Sequence, residues 1–134
     1  MGIANKKRSE ATEQVRLMNW AKFYEKDFPE LGLLYHVPNG GSRDRREAAN
    51  LKAQGVKAGV PDLFLPVAKA GKYGLYIEMK WGKNKTTEKQ DWWIKQLREQ
   101  GYAVEICRGA DEAMDVIAEY MGIREKMGGM YERN

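Results

Sequence analysis

The sequence predicts an α/β fold of the α+β mixed-sheet kind, a central mixed β-sheet flanked by helices. Three observations carry this. The chain opens on a long stretch with helical periodicity, changes to strand-like alternation from Pro61, and closes on a helix–strand–helix series after Thr87. The resulting order is α-β-α-β-β-α-β-α. At 134 residues the chain is expected to be one domain, 1–134, with 1–8 and 122–134 loosely ordered.

The first helix is expected from Ser9, a candidate N-cap, to about Phe28, with Pro29 closing it. At about 100° per residue, Leu17, Trp20, Ala21 and Tyr24 share one face, and Arg16, Asn19 and Lys22 oppose it. A strand follows over 33–37, broken by the turn Pro38-Asn39-Gly40-Gly41. Ser42 could cap a second helix running through Leu51 to Gln54, stopped by Gly55. Residues 62–67 and 75–81 read as two strands of a hairpin turning at 70–74. Thr86 or Thr87 starts a helix to Gln100, ended by Gly101. A strand over 102–107 and a helix from Ala110 to Met121 complete the pattern.

No apolar run approaches the ~20 residues of a membrane span, so no membrane association is expected. The first residues are basic but lack the apolar core of a signal peptide, and Lys6 breaks a myristoylation pattern at Met1-Gly2. The single Cys107 permits no internal disulfide and, with one histidine, no cysteine-based zinc site. A reducing cytoplasm fits. The net charge of +4 lies in the first half, where residues 1–60 hold eleven Lys/Arg against seven Asp/Glu. Clusters at Lys6-Lys7-Arg8, Arg43, Arg45, Arg46, Lys52 and Lys57, and again at Lys80, Lys83, Lys85 and Lys89, suit a polyanion, though solvated lysines account for most such surpluses.

The chemistry-bearing pattern is Pro61-Asp62, a spacer, then Glu78-Met79-Lys80, with Glu78 sixteen residues after Asp62. Strand alternation projects Tyr76, Glu78 and Lys80 on one face, and the hairpin brings Asp62 opposite them. Two neighbouring carboxylates stay ionised together only around a cation. Asp62 and Glu78 are therefore the candidate ligands of Mg²⁺ or Mn²⁺, with the Met79 carbonyl a further ligand. Lys80 would serve the attacking water and the charge that develops in phosphodiester hydrolysis. Glu10 and Glu13 fall on the buried side of the first helix; they either favour its positive end or one completes the site, and spacing does not separate these. Gln90 is either half of a capping box with Thr87 or a partner of the site. His36 ends a strand before a glycine-rich loop that could approach a phosphate backbone. Cys107 reads as core, as do Trp92 and Trp93.

The Asp62, Glu78-x-Lys80 constellation resembles the PD-(D/E)XK nuclease superfamily, and more narrowly a stand-alone virus-type replication-repair nuclease (VRR-NUC) domain. The closer resemblance rests on Ser9-Glu10 with Glu13-Gln14, His36-x-Pro38-Asn39-Gly40-Gly41, Gly59-Val60-Pro61-Asp62-Leu63, Ile77-Glu78-Met79-Lys80, Gln90-x-x-Trp93, Gly101-Tyr102 and Gly109-x-x-Glu112-Ala113, over about residues 9–121. It implies a restriction-endonuclease-like core and a metal-dependent, structure-selective endonuclease. Short members are phage or bacterial proteins that act as homodimers on branched DNA such as four-way (Holliday) junctions, in DNA repair or recombination. His36, Asn39, Gly40, Gly41, Arg43, Arg45, Arg46, Lys83 and Lys85 are the expected DNA contacts. The competing readings are a restriction-type duplex endonuclease, for which 134 residues leave little recognition segment, and a non-catalytic DNA-binding domain, which the intact Asp62, Glu78 and Lys80 disfavour.

Overall fold

In the computed structural model, which describes residues 7–40 and 44–128, the first helix starts where the sequence places its cap. The Ser9 hydroxyl accepts from the Thr12 N–H at 3.2 Å, and the Thr12 hydroxyl accepts from the Ser9 N–H at 2.8 Å. This reciprocal pair opens α1 (Glu10–Tyr24). Leu17, Trp20, Ala21 and Tyr24 are all buried, as their spacing requires.

α1 ends at Tyr24 rather than Phe28, and Pro29 opens a 3-10 helix (Pro29–Leu33) instead of closing the first helix. Proline suits a helix start because the first N–H has no helical acceptor. Leu31 and Leu34 are both buried, and their three-residue spacing matches a 3-10 turn, which puts both on one side. The strand expected over 33–37 therefore shrinks to β1 (Tyr35–His36).

α2 (Arg45–Ala53) is capped by Asp44, whose Oδ1 accepts from the N–H groups of Arg46 and Glu47; Ser42 lies outside the described residues. No residue of α2 is buried, so it rides on the surface. β2 (Leu63–Leu65) stops before Pro66, which has no N–H for a ladder, and is shorter than the expected 62–67. The chain returns as β3 (Leu75–Lys80). α3 (Glu88–Glu99) starts at Thr87 and crosses to β4 (Ala103–Arg108), followed by α4 (Ala110–Met121). Where the sequence signals a loose tail beyond Gly122, Arg124–Met127 form a short helix, α5, with Met127 fully buried.

The four strands form one mixed sheet in the order β1-β2-β3-β4, antiparallel except for the parallel β3/β4 pair. The fold class is as the sequence predicts. Leu75, Ile77 and Met79 of β3 join the main core with residues of α1 and α4, and α3 lies across β4 on the other side. β3 is covered on both faces along most of its length. On the α3 side, Phe64 stacks on Tyr76 at 4.2 Å, with Tyr102 edge-on to both. Cys107 is fully buried, and burial pushes its thiol up to about 12, an inert core position.

Candidate active site

The antiparallel register pairs Leu63 with Ile77. One step further along the ladder, Asp62 meets Glu78, and alternation sends Lys80 to the same side as Glu78. The hairpin thus converts a sixteen-residue separation into a juxtaposition. Glu78 is 1% exposed and Lys80 5% exposed. The Lys80 ammonium lies 3.6 Å from Glu78 Oε2, and Gln90 Nε2 donates to that same oxygen at 3.0 Å. Gln90 also completes the capping box with Thr87. Both roles considered for Gln90 are therefore present in one side chain: its Oε1 caps α3 and its Nε2 reaches the cluster.

Asp62 is held from two sides. Its Oδ2 accepts the Met79 N–H at 2.8 Å, and its Oδ1 accepts Asn39 Nδ2 at 3.1 Å. Asn39 Nδ2 also reaches the Val60 carbonyl at 3.3 Å. Asn39, expected as a DNA contact, is turned inward onto the aspartate. The Met79 backbone contributes its N–H to this arrangement.

The remaining oxygen of the cluster is unusual. Glu78 Oε1 is buried and no donor among the described residues reaches it. Burial pushes the Glu78 carboxyl up to about 8; the adjacent Asp62 charge adds to this, Lys80 opposes it, and a hydrogen-bonding contact with Asp62 and the charge of Glu10 raise it further. With the Glu78 carboxyl at about 8, its neutral form predominates at neutral pH when no cation is bound.

The two glutamates of α1 separate. Glu13 is 1% exposed, but its carboxylate is taken up elsewhere. Arg8 donates to both of its oxygens at 3.0 and 2.9 Å, Arg16 to Oε1 at 3.1 Å, and the Ala110 N–H at the start of α4 to Oε1 at 3.0 Å. The Arg8 hydrogen bonds foremost hold Glu13 well below the usual range, at about 2. Of the two glutamates that spacing left unseparated, Glu13 is thus engaged with Arg8, Arg16 and the start of α4. Gly109 makes the arrangement possible: its φ of +96° suits glycine, and a Cβ there would sit 2.8 Å from the Trp81 ring and 3.1 Å from Glu13 Oε1. Glu10 is the glutamate near the cluster, close enough to raise Glu78, with Asn84 Nδ2 on its Oε2 at 2.6 Å.

The chain matches the family model of the VRR-NUC domain over residues 3–111. It belongs to the VRR-NUC domain family. A solved structure described as a VRR_NUC domain protein superposes with a TM-score of 0.73 at 32% sequence identity, over 89% of this chain and 93% of that one. No curated protein matches. A VRR-NUC domain is a nuclease-type domain whose substrate class is DNA, and nucleases of this family are typically metal-dependent.

The other candidate residues are mostly exposed where they are described. His36 is exposed on β1, its Nδ1 3.1 Å from Gln14 Nε2. Gly40 adopts a φ of +81° just after Asn39. Arg45 and Arg46 are exposed on α2, and Lys83 and Lys85 are exposed in the loop after Lys80. Gly41 and Arg43 lie outside the described residues. The loop after Lys80 is anchored by Arg108, which donates to the carbonyls of Gly82 and Asn84 at 3.0 and 2.7 Å. Sequence reasoning missed Arg8, Asn84 and Arg108 as organisers of the VRR-NUC site, and no spacing signal exposes them, because their partners come from distant elements. It also misplaced Trp92, which is 57% exposed rather than core.

Among the described residues, no three His, Cys, Asp or Glu side chains converge into a cation cage. The set nonetheless fits a hard divalent ion. Mg²⁺ and Mn²⁺ sites typically use one or two carboxylates and complete the shell with water and substrate phosphate. A buried carboxylate oxygen that no donor among the described residues reaches, beside a second carboxylate, is the feature such an ion would satisfy.

Proposed function

We propose that this chain is a Mg²⁺- or Mn²⁺-dependent endonuclease that hydrolyses phosphodiester bonds in branched DNA, with the four-way junction as its preferred substrate. The carrying observation is the buried Glu78 carboxylate, with one oxygen that no donor among the described residues reaches, opposite Asp62 and beside Lys80. Asp62 and Glu78 would hold the ion, with the Met79 carbonyl as a further ligand. A bound ion would polarise the scissile phosphate and ease deprotonation of water at neutral pH. Lys80, buried and hydrogen-bond competent, orients the attacking water and offsets the negative charge that grows on the phosphate oxygens. Gln90 holds Glu78 in place, and Asn39 with the Met79 N–H holds Asp62, so both carboxylates are oriented before substrate arrives. Glu10 borders the same site through its charge. His36, Gly40, Arg45, Arg46, Lys83 and Lys85 supply the DNA contacts in this reading, and a reducing cytoplasm of a bacterial or phage-infected cell is its setting.

Two incisions placed symmetrically on a four-way junction call for two sites in fixed relation, which a two-fold homodimer of one-site chains provides. Two of the aromatic residues that such an interface could draw on are engaged within the chain. Trp81 carries the Arg8 guanidinium over its ring at 4.0 Å, and the Tyr120 hydroxyl donates to the Val67 carbonyl at 2.6 Å. Tyr131 lies outside the described residues. Val15 and Phe23 on α1, both more than half exposed although Lys26 lies over the Phe23 ring at 4.3 Å, offer apolar surface for a contact between copies.

The experiment is incubation of the purified protein with a labelled four-way junction and a linear duplex of the same sequence, with Mn²⁺ and with chelator. Cleavage of the junction alone, abolished by chelator and by Lys80→Ala, supports the reading. Cleavage of the duplex at a defined sequence would favour a restriction-type enzyme. Binding without cleavage under any divalent ion would favour a non-catalytic domain.

A further inference from the structure

Trp92 lies on α3 two residues after Gln90, with more than half of its surface in water at 57% exposure. Its ring meets that of Trp93 edge to face at 5.4 Å and 89°, and most of the Trp92 indole remains open to solvent. Beside it is a shallow depression of about 360 Å³ lined by Lys57, Ala58, Lys89, Trp92 and Trp93. A second depression, also about 360 Å³, shares Lys57 and Trp93 with the first and continues to Val37, Pro38 and Val60. That end is the wall of the candidate active site, since the Val37 N–H donates to the Asp62 carbonyl at 2.7 Å and Val60 receives Asn39.

The loop carrying Lys57 is pressed onto α3 at Gly59. Its φ is +94°, and a Cβ there would lie 2.9 Å from the Lys89 backbone and Cβ. Glycine is what permits this approach, and the approach brings Lys57 alongside Lys89. Neither depression is lined by a carboxylate among the described residues. A groove elsewhere on α3, at Arg98 and Ile106, carries Asp91 and Glu99.

We infer that this groove is a stacking site for the unpaired strand of a DNA substrate, leading into the cleavage site; the inference rests on the nuclease reading above. An exposed aromatic face flanked by cations is how proteins hold single-stranded nucleic acid: the base stacks and the ammonium groups take the phosphates. A paired duplex hides its base faces, so the groove selects nucleotides at a branch or frayed end. A second copy of this chain is the poorer occupant, because a two-fold contact centred here would gather Lys57 and Lys89 of both copies into one interface.

The test is equilibrium binding, without divalent ion so that nothing is cut, to oligothymidylate, a splayed-arm duplex and a fully paired duplex. Trp92→Ala should weaken binding to the first two about 5- to 150-fold, the range stacking of one base spans, with little change on the paired duplex. Trp92→Phe should recover most of the loss. Oligothymidylate should quench tryptophan fluorescence of the wild type and do so far less in Trp92→Ala. The double variant Lys57→Ala/Lys89→Ala should lower the salt slope for oligothymidylate by roughly 1.5. Equal loss on all three DNAs, no loss at all, or conversion of a dimer to a monomer by Trp92→Ala with affinity per chain unchanged would overturn the inference. If the wild type cuts DNA while Trp92→Ala binds normally, the stacking site falls and the nuclease reading stands. If Trp92 behaves as expected but the wild type cuts nothing with Mn²⁺, the nuclease reading falls and the stacking site stands.

Discussion

A carboxylate that is 1% exposed, with one oxygen that no donor among the described residues reaches, persists only if a proton or a cation neutralises it. Glu78 is pushed up to about 8, chiefly by burial and then by Asp62, so without metal it holds its proton at neutral pH. The native state then binds more protons than the unfolded chain between the ordinary carboxyl value near 4.5 and about 8. Stability of the metal-free protein from this group should fall as pH rises through that window. Thermal melts from pH 5 to pH 8 should show the decline, Glu78→Gln should flatten it, and Mn²⁺ should raise the midpoint most at the alkaline end. Lys80→Ala should cut the cleavage rate by a factor on the order of 10²–10⁴ while leaving DNA affinity nearly unchanged, because the lysine serves the transition state. A wild-type rate in that variant would sink the assigned site. Asn39→Ala, which frees Asp62 Oδ1, should weaken Mn²⁺ binding roughly 10- to 100-fold by calorimetry. Unchanged Mn²⁺ affinity with weaker DNA binding would return Asn39 to the role of a DNA contact.

At the scale of elements, Glu13 is the tie between the start of α1 and the start of α4, through Arg8, Arg16 and the Ala110 N–H. Its carboxyl is held at about 2, below the unfolded value near 4.5. A lowered carboxyl value stabilises above the unfolded value and ceases to do so as pH falls through about 2. Glu13→Gln should therefore cost about 1–3 kcal/mol at neutral pH, the scale of a disrupted buried hydrogen-bond set, and soften the acid transition. The folded variant should still cleave DNA. Loss of cleavage at full stability would instead make Glu13 part of the site, with Glu10→Gln the direct comparison. α2 presents Arg45 and Arg46 to solvent with no buried residue behind them, so reversing both charges should leave the melting point almost unmoved. It should weaken binding to all DNA shapes alike and reduce the salt slope by roughly 2. A loss confined to one DNA shape would mean that the helix reads structure.

For the whole molecule, the proposed assembly is a two-fold dimer with both sites toward one DNA surface. Light scattering at micromolar concentration should give twice the 15.4 kDa chain mass. A monomer mass that stays unchanged on adding junction DNA would rule the assembly out. Dimerisation and stacking at Trp92 make separable demands on the surface, since Val15 and Phe23 lie on α1 and Trp92 on α3.

Local rules were enough for much of this protein. Serine and threonine caps at Ser9 and Thr87, helical periodicity over Leu17 to Tyr24, and alternation in β3 act between near neighbours, so they are written in consecutive residues. The hairpin is local too, which is why Asp62, Glu78 and Lys80 could be brought together on paper. The sequence thereby determined the fold class, the family and the core of the candidate site. Tertiary contact decided the rest. Pro29 permits either a helix stop or a new 3-10 start, and burial of Leu31 and Leu34 selects the second. Glu10 and Glu13 share a helix side, and only Arg8, Arg16 and the start of α4 claim one of them while Asn84 reaches the other. Trp92 and Trp93 are adjacent in sequence, yet only the packing of α3 against the loop at Gly59 leaves one ring in water. Periodicity tells which side of an element an atom occupies; which distant atom meets it there depends on how the elements pack, and that is decided by the folded chain as a whole.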